Sequence, residues 1–136
     1  MRVLHIGSVC GHGGTETVLA TLIREQRALG IDAEAYYFVD RGGAEIYDGV
    51  CRIRLAGEHS LTSILLREDF DLLHIVSGAV PNAQTCLKRA LYRGPVVVSC
   101  HGTFRGRMGS RFVTAVSNYT ARSIQSQCPE PVTVVG

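Results

Sequence analysis

The sequence predicts a doubly wound α/β domain, a mostly parallel sheet with helices on both faces. Three observations carry this. Short apolar runs alternate with stretches of helical period along most of the chain. Candidate helix starts and stops fall between those runs. The chain has 136 residues, enough for one domain with a real core but not for two ordinary ones.

The elements follow in order. "RVLHIG" (2–7) is an apolar run closed by glycine and reads as a buried strand. From Thr15 the period changes: Val18, Leu19, Leu22, Ile23 and Leu29 share one helical face, and Arg24, Glu25 and Arg27 fall outside it. Thr15 is the expected N-cap and Gly30 the expected stop. "DAEAYYFV" (32–39) is a second strand, and "DRGGAEIYDG" (40–49) a polar loop. "VCRIRL" (50–55) alternates with period two, as a half-exposed edge strand does. Ser60 caps a short helix through Leu61, Ile64 and Leu65. "DLLHIV" (71–76) is a buried-type strand. Pro81 opens a helix whose stripe is Ala83, Cys86, Leu87, Ala90 and Leu91, stopped by Gly94-Pro95. "VVVSC" (96–100) and "RFVTAV" (111–116) are strands, Ser117 caps a helix to about Gln127, and "PVTVVG" (131–136) begins one more strand. Right-handed crossovers favour a Rossmann-like order such as 3-2-1-4-5-6-7. In such a sheet ligands bind beyond the carboxyl ends of the strands. That places the loops at 8–14, 77–80 and 101–110 on one rim.

Composition narrows the class. Apolar residues make up 46% and charged residues 19%, the balance of a globular chain rather than a disordered one. No apolar run approaches the roughly 20 residues of a membrane span. The apolar stretch after Arg2 is too short for a signal peptide, so a cytoplasmic location is expected. Cys10, Cys51, Cys86, Cys100 and Cys128 are scattered and odd in number, which fits reduced thiols rather than a disulfide framework. The net charge of +2 gives no nucleic-acid footprint. Thirteen of the 14 basic residues are arginine, and Arg105, Arg107 and Arg111 form the local cluster. Beside the expected mouth, that cluster suits an anionic ligand.

"GSVCGHGGTET" (7–17) joins a strand to a helix N-terminus, where N–H groups and the helix dipole favour an anion. It lacks the lysine of a P-loop, and a dinucleotide fingerprint begun at Gly11 meets Glu16 where glycine is required. Asp40, after the second strand, is the sole trace of a ribose-binding acid. Two readings stay open: a bare glycine turn, or a turn built for close approach to a phosphate or sugar. Glu16 in the first turn either complements the dipole or binds a hydroxyl. His5 and His74 lie inside strand patterns and are expected to be buried and hydrogen-bonded. Cys10, His12, Cys100 and His101 have irregular spacing for zinc, and no acid is placed to support Cys100 as a nucleophile. Neither a metal nor a cofactor is expected.

Four stretches, in order, resemble one family. They are the "GGTE" loop with the helix closing at "ALG", then "FDLLHIVS", "GPVVVSCHGTF" and "FVTAVSNYTARSI". Together they are similar to the N-terminal domain of the family 4 glycosyltransferases, retaining enzymes of the two-domain GT-B fold. "PVTVVG" resembles the stretch before that family's second domain. Val76 replaces a histidine common in the family, Ser99 a threonine and Asn118 a glutamate.

The resemblance implies transfer of a sugar from a nucleotide-sugar to an acceptor held mainly by this N-terminal half. It places Gly13, Gly14, Glu16, Ser77, Gly102, Arg105 and Arg107 at the donor and acceptor positions, and His101 as a polar contact to the transferred sugar. The donor-binding domain would lie in a C-terminal half outside residues 1–136, so this chain alone should not turn over. Peripheral association of the whole enzyme with a membrane is compatible with it. Two other classes stay open: a non-catalytic module binding a nucleotide or a partner subunit, as in a split enzyme, and an NAD-type domain.

Overall fold

The computed structural model describes residues 1–100 together with the backbone of two further strands, 112–115 and 132–134. The elements are β1 (Arg2–Cys10), α1 (Gly14–Ala28), β2 (Asp32–Asp40), β3 (Ile53–Leu55), α2 (Leu61–Arg67), β4 (Leu72–Val76), α3 (Val80–Arg89), β5 (Val96–Cys100), β6 (Phe112–Ala115) and β7 (Val132–Val134). The seven described strands form one parallel sheet in the order β3-β2-β1-β4-β5-β6-β7. This is the doubly wound Rossmann-like arrangement the sequence predicts.

Alternation along β2 separates two cores. Ala33, Ala35 and Tyr37 pack with Leu19, Ala20 and Ile23 of α1 and with Tyr47. Tyr36 packs on the other face with Leu61 and Ile64 of α2 and Val80 and Ala83 of α3, beside Leu4, Ile6, Leu73, Ile75 and Val98. Helices therefore cover both faces, as a parallel sheet requires. Each large side chain so buried contributes roughly 1.5–3 kcal/mol as an upper estimate.

Several expectations change. β1 runs on to Cys10, because Gly7, Val9 and Cys10 keep pairing with Tyr37, Val39 and Asp40. The connecting loop shrinks to residues 11–13. The N-cap of α1 is Gly13, not Thr15, and it makes no side-chain cap bond. Only Leu19, Ala20 and Ile23 of α1 are buried, while Val18, Leu22 and Leu29 are exposed. The cause is Gln26, which takes the inward position one turn after Ile23 and bonds His5. Gly30 adopts φ +84° just past the helix, which suits its expected role as the stop. Leu91 of the α3 stripe is exposed, past the helix end at Arg89. The Ser60 cap forms as expected, accepting a hydrogen bond from the Ser63 N–H at 3.1 Å. Pro81 stands in the first turn of α3.

β3 is an edge strand, but shorter than 50–55 and not polar toward solvent. Arg54 is 4% exposed. Its guanidinium is gripped by Glu68 through two hydrogen bonds, one at 2.7 Å, and lies 2.8 Å from Glu34. Arg2 adds a 3.0 Å bond to Glu68. A buried charge persists only when paired, and here two acids do so.

A second polar chain crosses the sheet. Gln26 Oε1 lies 2.7 Å from His5 Nε2, His5 Nδ1 lies 2.7 Å from His74 Nδ1, and His74 Nε2 lies 2.7 Å from Ser99 Oγ. With the glutamine oxygen accepting, one set of tautomers satisfies all three bonds. His5 donates from Nε2, His74 donates from Nδ1 to His5, and Ser99 donates to His74. Burial holds the His5 pKa below its usual value, partly offset by Gln26.

Two predictions follow from these networks. Hydrogen bonds from Arg54, then Arg2, hold the Glu68 carboxyl down at about 2. Its stabilisation is present above the usual pKa of about 4.5 and disappears as pH falls toward 2. Glu68→Gln should lower stability at pH 7 by about 2–3 kcal/mol, less than for a fully buried pair because Glu68 is 29% exposed. It should also flatten the pH dependence of Tm between pH 2 and pH 5. His5 acts in the same sense at higher pH: neutral in the fold, it stabilises above about pH 6.5, and this is lost as pH falls through its lowered value. His5→Phe should cost about 1–3 kcal/mol at pH 7.5, from the partners left unpaired, and remove that slope. Chemical denaturation from pH 5 to pH 8 measures it.

Candidate functional site

Strand order reverses between β1 and β4, so their connections leave in opposite directions and open a crevice at the carboxyl ends. The structure holds a cleft of about 370 Å³ there. Its described walls are Gly7, Ser8 and Val9 of β1, Thr15 and Glu16 of α1, Tyr37 of β2, and Val76, Ser77 and Gly78 after β4. Sequence reasoning placed the loops around residues 8–14 and 77–80 on one rim, and both contribute. Residues 77–79 form a 3-10 turn that runs straight into α3.

Each wall has a local cause. Gly7 lines the cleft because a Cβ there would overlap the Tyr37 ring. The first turn of α1 is fixed through two buried tyrosines. Tyr47 Oη donates to the Glu16 carbonyl at 3.5 Å and lies 2.6 Å from Tyr37 Oη, so Tyr37 is the donor in that second bond. Burial pushes both phenols well up, and they remain neutral donors. The following loop is pinned to the end of β1: Arg41 and Gly43 donate backbone N–H bonds to the Cys10 carbonyl at 2.9 and 3.2 Å.

Glu16 is the charged residue among the described lining. Its carboxylate folds back over the helix start, with Oε2 standing 2.7 Å from where a Cβ on Gly13 would be. Gly13, without a Cβ, leaves room for the carboxylate in this position. Glu16 thus puts a negative charge at the positive end of α1, the dipole role open to it from sequence. A second anion about 4 Å from that carboxylate would be repelled by roughly 1–4 kcal/mol, depending on solvent access.

Cys10 is buried at the base of the loop. Burial first, then the charges of Asp40, Glu16 and Glu45, push its thiol up to about 11, so it is a protonated core thiol. His12 is exposed and lies 3.5 Å from Glu45. Asp40 accepts the Gly42 N–H at 2.9 Å, a turn contact.

The structure therefore brings Glu16, Gly13, Gly14 and Ser77 to one rim, with Glu16 and Ser77 lining the cleft. His101, Gly102, Arg105, Arg107 and Arg111 lie outside the described residues. Sequence reasoning missed Ser8, Thr15, Tyr37 and Tyr47 as parts of the site. Ser8 lies within the 8–14 segment expected on the rim but was not singled out there, and the two tyrosines meet only through the fold.

Among the described residues no helix is long and apolar enough to cross a membrane. A family model described as Glycosyltransferase Family 4 matches residues 12–136. Comparison with curated proteins and with solved structures gives no match.

Tyr47→Phe removes the acceptor of the buried Tyr37 hydroxyl and the tether to Glu16. Urea unfolding should show a loss of about 1–3 kcal/mol. Amide exchange in the first turns of α1 should speed up. A variant matching wild type in both would show that the tyrosine pair does not hold the turn.

Proposed function

The chain belongs to Glycosyltransferase Family 4, and from that premise we propose that it is the acceptor-side domain of a retaining enzyme of the GT-B type. In this reading a nucleotide-diphosphate sugar donates its sugar to an acceptor seated in the β1–β4 cleft. The observation that carries it is the cleft itself, open at the strand carboxyl ends and walled by glycines, hydroxyls and one carboxylate.

Each residue has an assigned task. Gly13 and Gly14 let the backbone approach the bound sugar. Ser77 and Glu16 hydrogen-bond acceptor hydroxyls. His101 contacts the transferred sugar, with Gly102 counted among the binding residues next to it in sequence. Arg105 and Arg107 supply positive charge for an anionic group of the donor or acceptor, and positive charge at the donor's phosphates eases departure of the nucleoside diphosphate. In this reading a second, C-terminal domain completes the donor site. No metal or cofactor takes part. The scattered free cysteines support a cytoplasmic setting.

The test uses the longest native reading frame containing this chain, incubated with a panel of nucleotide-sugars. Nucleoside diphosphate release and the anomeric configuration of the product are read. The expected result is transfer with retention. His101→Ala should lower kcat by about tenfold or more, with a smaller change in KM. Gly13→Ala, whose Cβ meets Glu16, should lower kcat/KM by a comparable factor. Release of nucleoside diphosphate at wild-type rates in both variants would falsify the assignment. An inverted product would overturn the retaining mechanism.

A further inference from the structure

Resting on the sugar-transfer reading of the cleft and deepening it, we propose that the cleft takes a neutral, polyhydroxylated acceptor. Glu16 is the residue that selects it over a phosphorylated one.

The argument starts at the N-terminus of α1. Gly13 caps the helix without a side-chain bond. The Glu16 carboxylate lies against Gly13 and serves the positive end of the helix instead. A phosphate approaching the same N–H groups meets this fixed negative charge. A sugar hydroxyl meets no such opposition. It donates to the carboxylate oxygen, and its own oxygen remains free to accept. Three other residues of the described wall have matching chemistry: Ser8, Thr15 and Ser77 are each donor and acceptor at once, beside Val9 and Val76.

Other charges stand near the base of the loop. Asp40 and Glu45 stand close enough to act on Cys10 together with Glu16. His12 faces Glu45. Arg41 follows Asp40 and is held by its backbone at the Cys10 carbonyl. Tyr47, bonded to Tyr37, holds the backbone carbonyl of Glu16 and so keeps its carboxylate within reach of the helix start. A carboxylate held in a built wall discriminates by its charge, and discrimination against an anion needs such a repulsive element.

The experiment titrates the isotopically labelled chain with methyl α-glucoside and methyl α-mannoside, each against the corresponding hexose 6-phosphate. Amide shifts of Ser8, residues 13–17, Ser77 and Gly78 report binding. The neutral glycosides should bind at least about tenfold more tightly than the phosphates. Glu16→Gln should bring the two classes to within about twofold, by weakening the neutral ligand and admitting the charged one. Unchanged shifts at His5 and His74 verify that the variant keeps its fold. Tighter binding of the hexose phosphates to wild type, as an acceptor held by Arg105 and Arg107 would give, overturns this proposal and leaves the sugar-transfer reading standing. A preference that survives Glu16→Gln also overturns it. If no sugar of either class moves the cleft amides, the proposal and the reading beneath it fall together.

Discussion

Everything in this structure depends on β1 being hydrogen-bonded along both of its edges. It pairs with β2 over nearly its whole length on one side and with β4 on the other. A parallel strand in that position has both faces inside the protein, so its side chains must satisfy two cores at once. It is also the place where the winding direction reverses. The chain leaves β1 toward β2 and β3, then returns across it to β4, and the crevice at its carboxyl end follows from that reversal. The cleft is thus a consequence of strand order before it is a property of any side chain.

Within this apolar frame two polar networks set what hydrophobic burial leaves open. The Gln26–His5–His74–Ser99 chain joins α1, β1, β4 and β5 through three hydrogen bonds. Apolar packing tolerates many arrangements, but an unpaired imidazole nitrogen in the interior is costly. The chain therefore fixes how α1 sits on the sheet, which is why Gln26 faces inward and Val18 and Leu22 do not. Arg54 does the same at the β3 edge of the sheet, tying β3 to Glu34 of β2 and to Glu68 after α2. Both networks lie away from the cleft walls and hold the frame that carries them.

The cleft uses the same logic in miniature. Two tyrosines distant from the helix in sequence hold its first turn, and that turn aims Glu16. An acidic residue early in a helix is ordinary. Here it is a wall of a crevice, beside hydroxyls from two different strand ends. The family model covers most of the residues that wall this crevice, Thr15, Glu16, Tyr37 and Val76–Gly78 among them.

The sequence by itself determined the strand order, the Ser60 cap, the Pro81 start and the meeting of the 7–17 and 77–80 segments at one rim. These rest on local period, turn chemistry and the handedness of crossovers, all of which act over a few residues or on topology alone. It also marked Glu16 and Ser77, because the loops after β1 and β4 must share the switch point. Only the tertiary structure decided that β1 continues through Ser8 to Cys10, since a glycine followed by polar residues reads as a turn until Tyr37 and Val39 are seen pairing beside it. Only it decided that Arg54 is buried, because period-two alternation cannot tell a solvent-facing charge from one paired to an acid 14 residues away. The inward turn of Gln26 and the Tyr37–Tyr47 tether have the same origin. Their partners are remote in sequence, and a hydrogen bond between buried groups leaves no mark on hydrophobic periodicity.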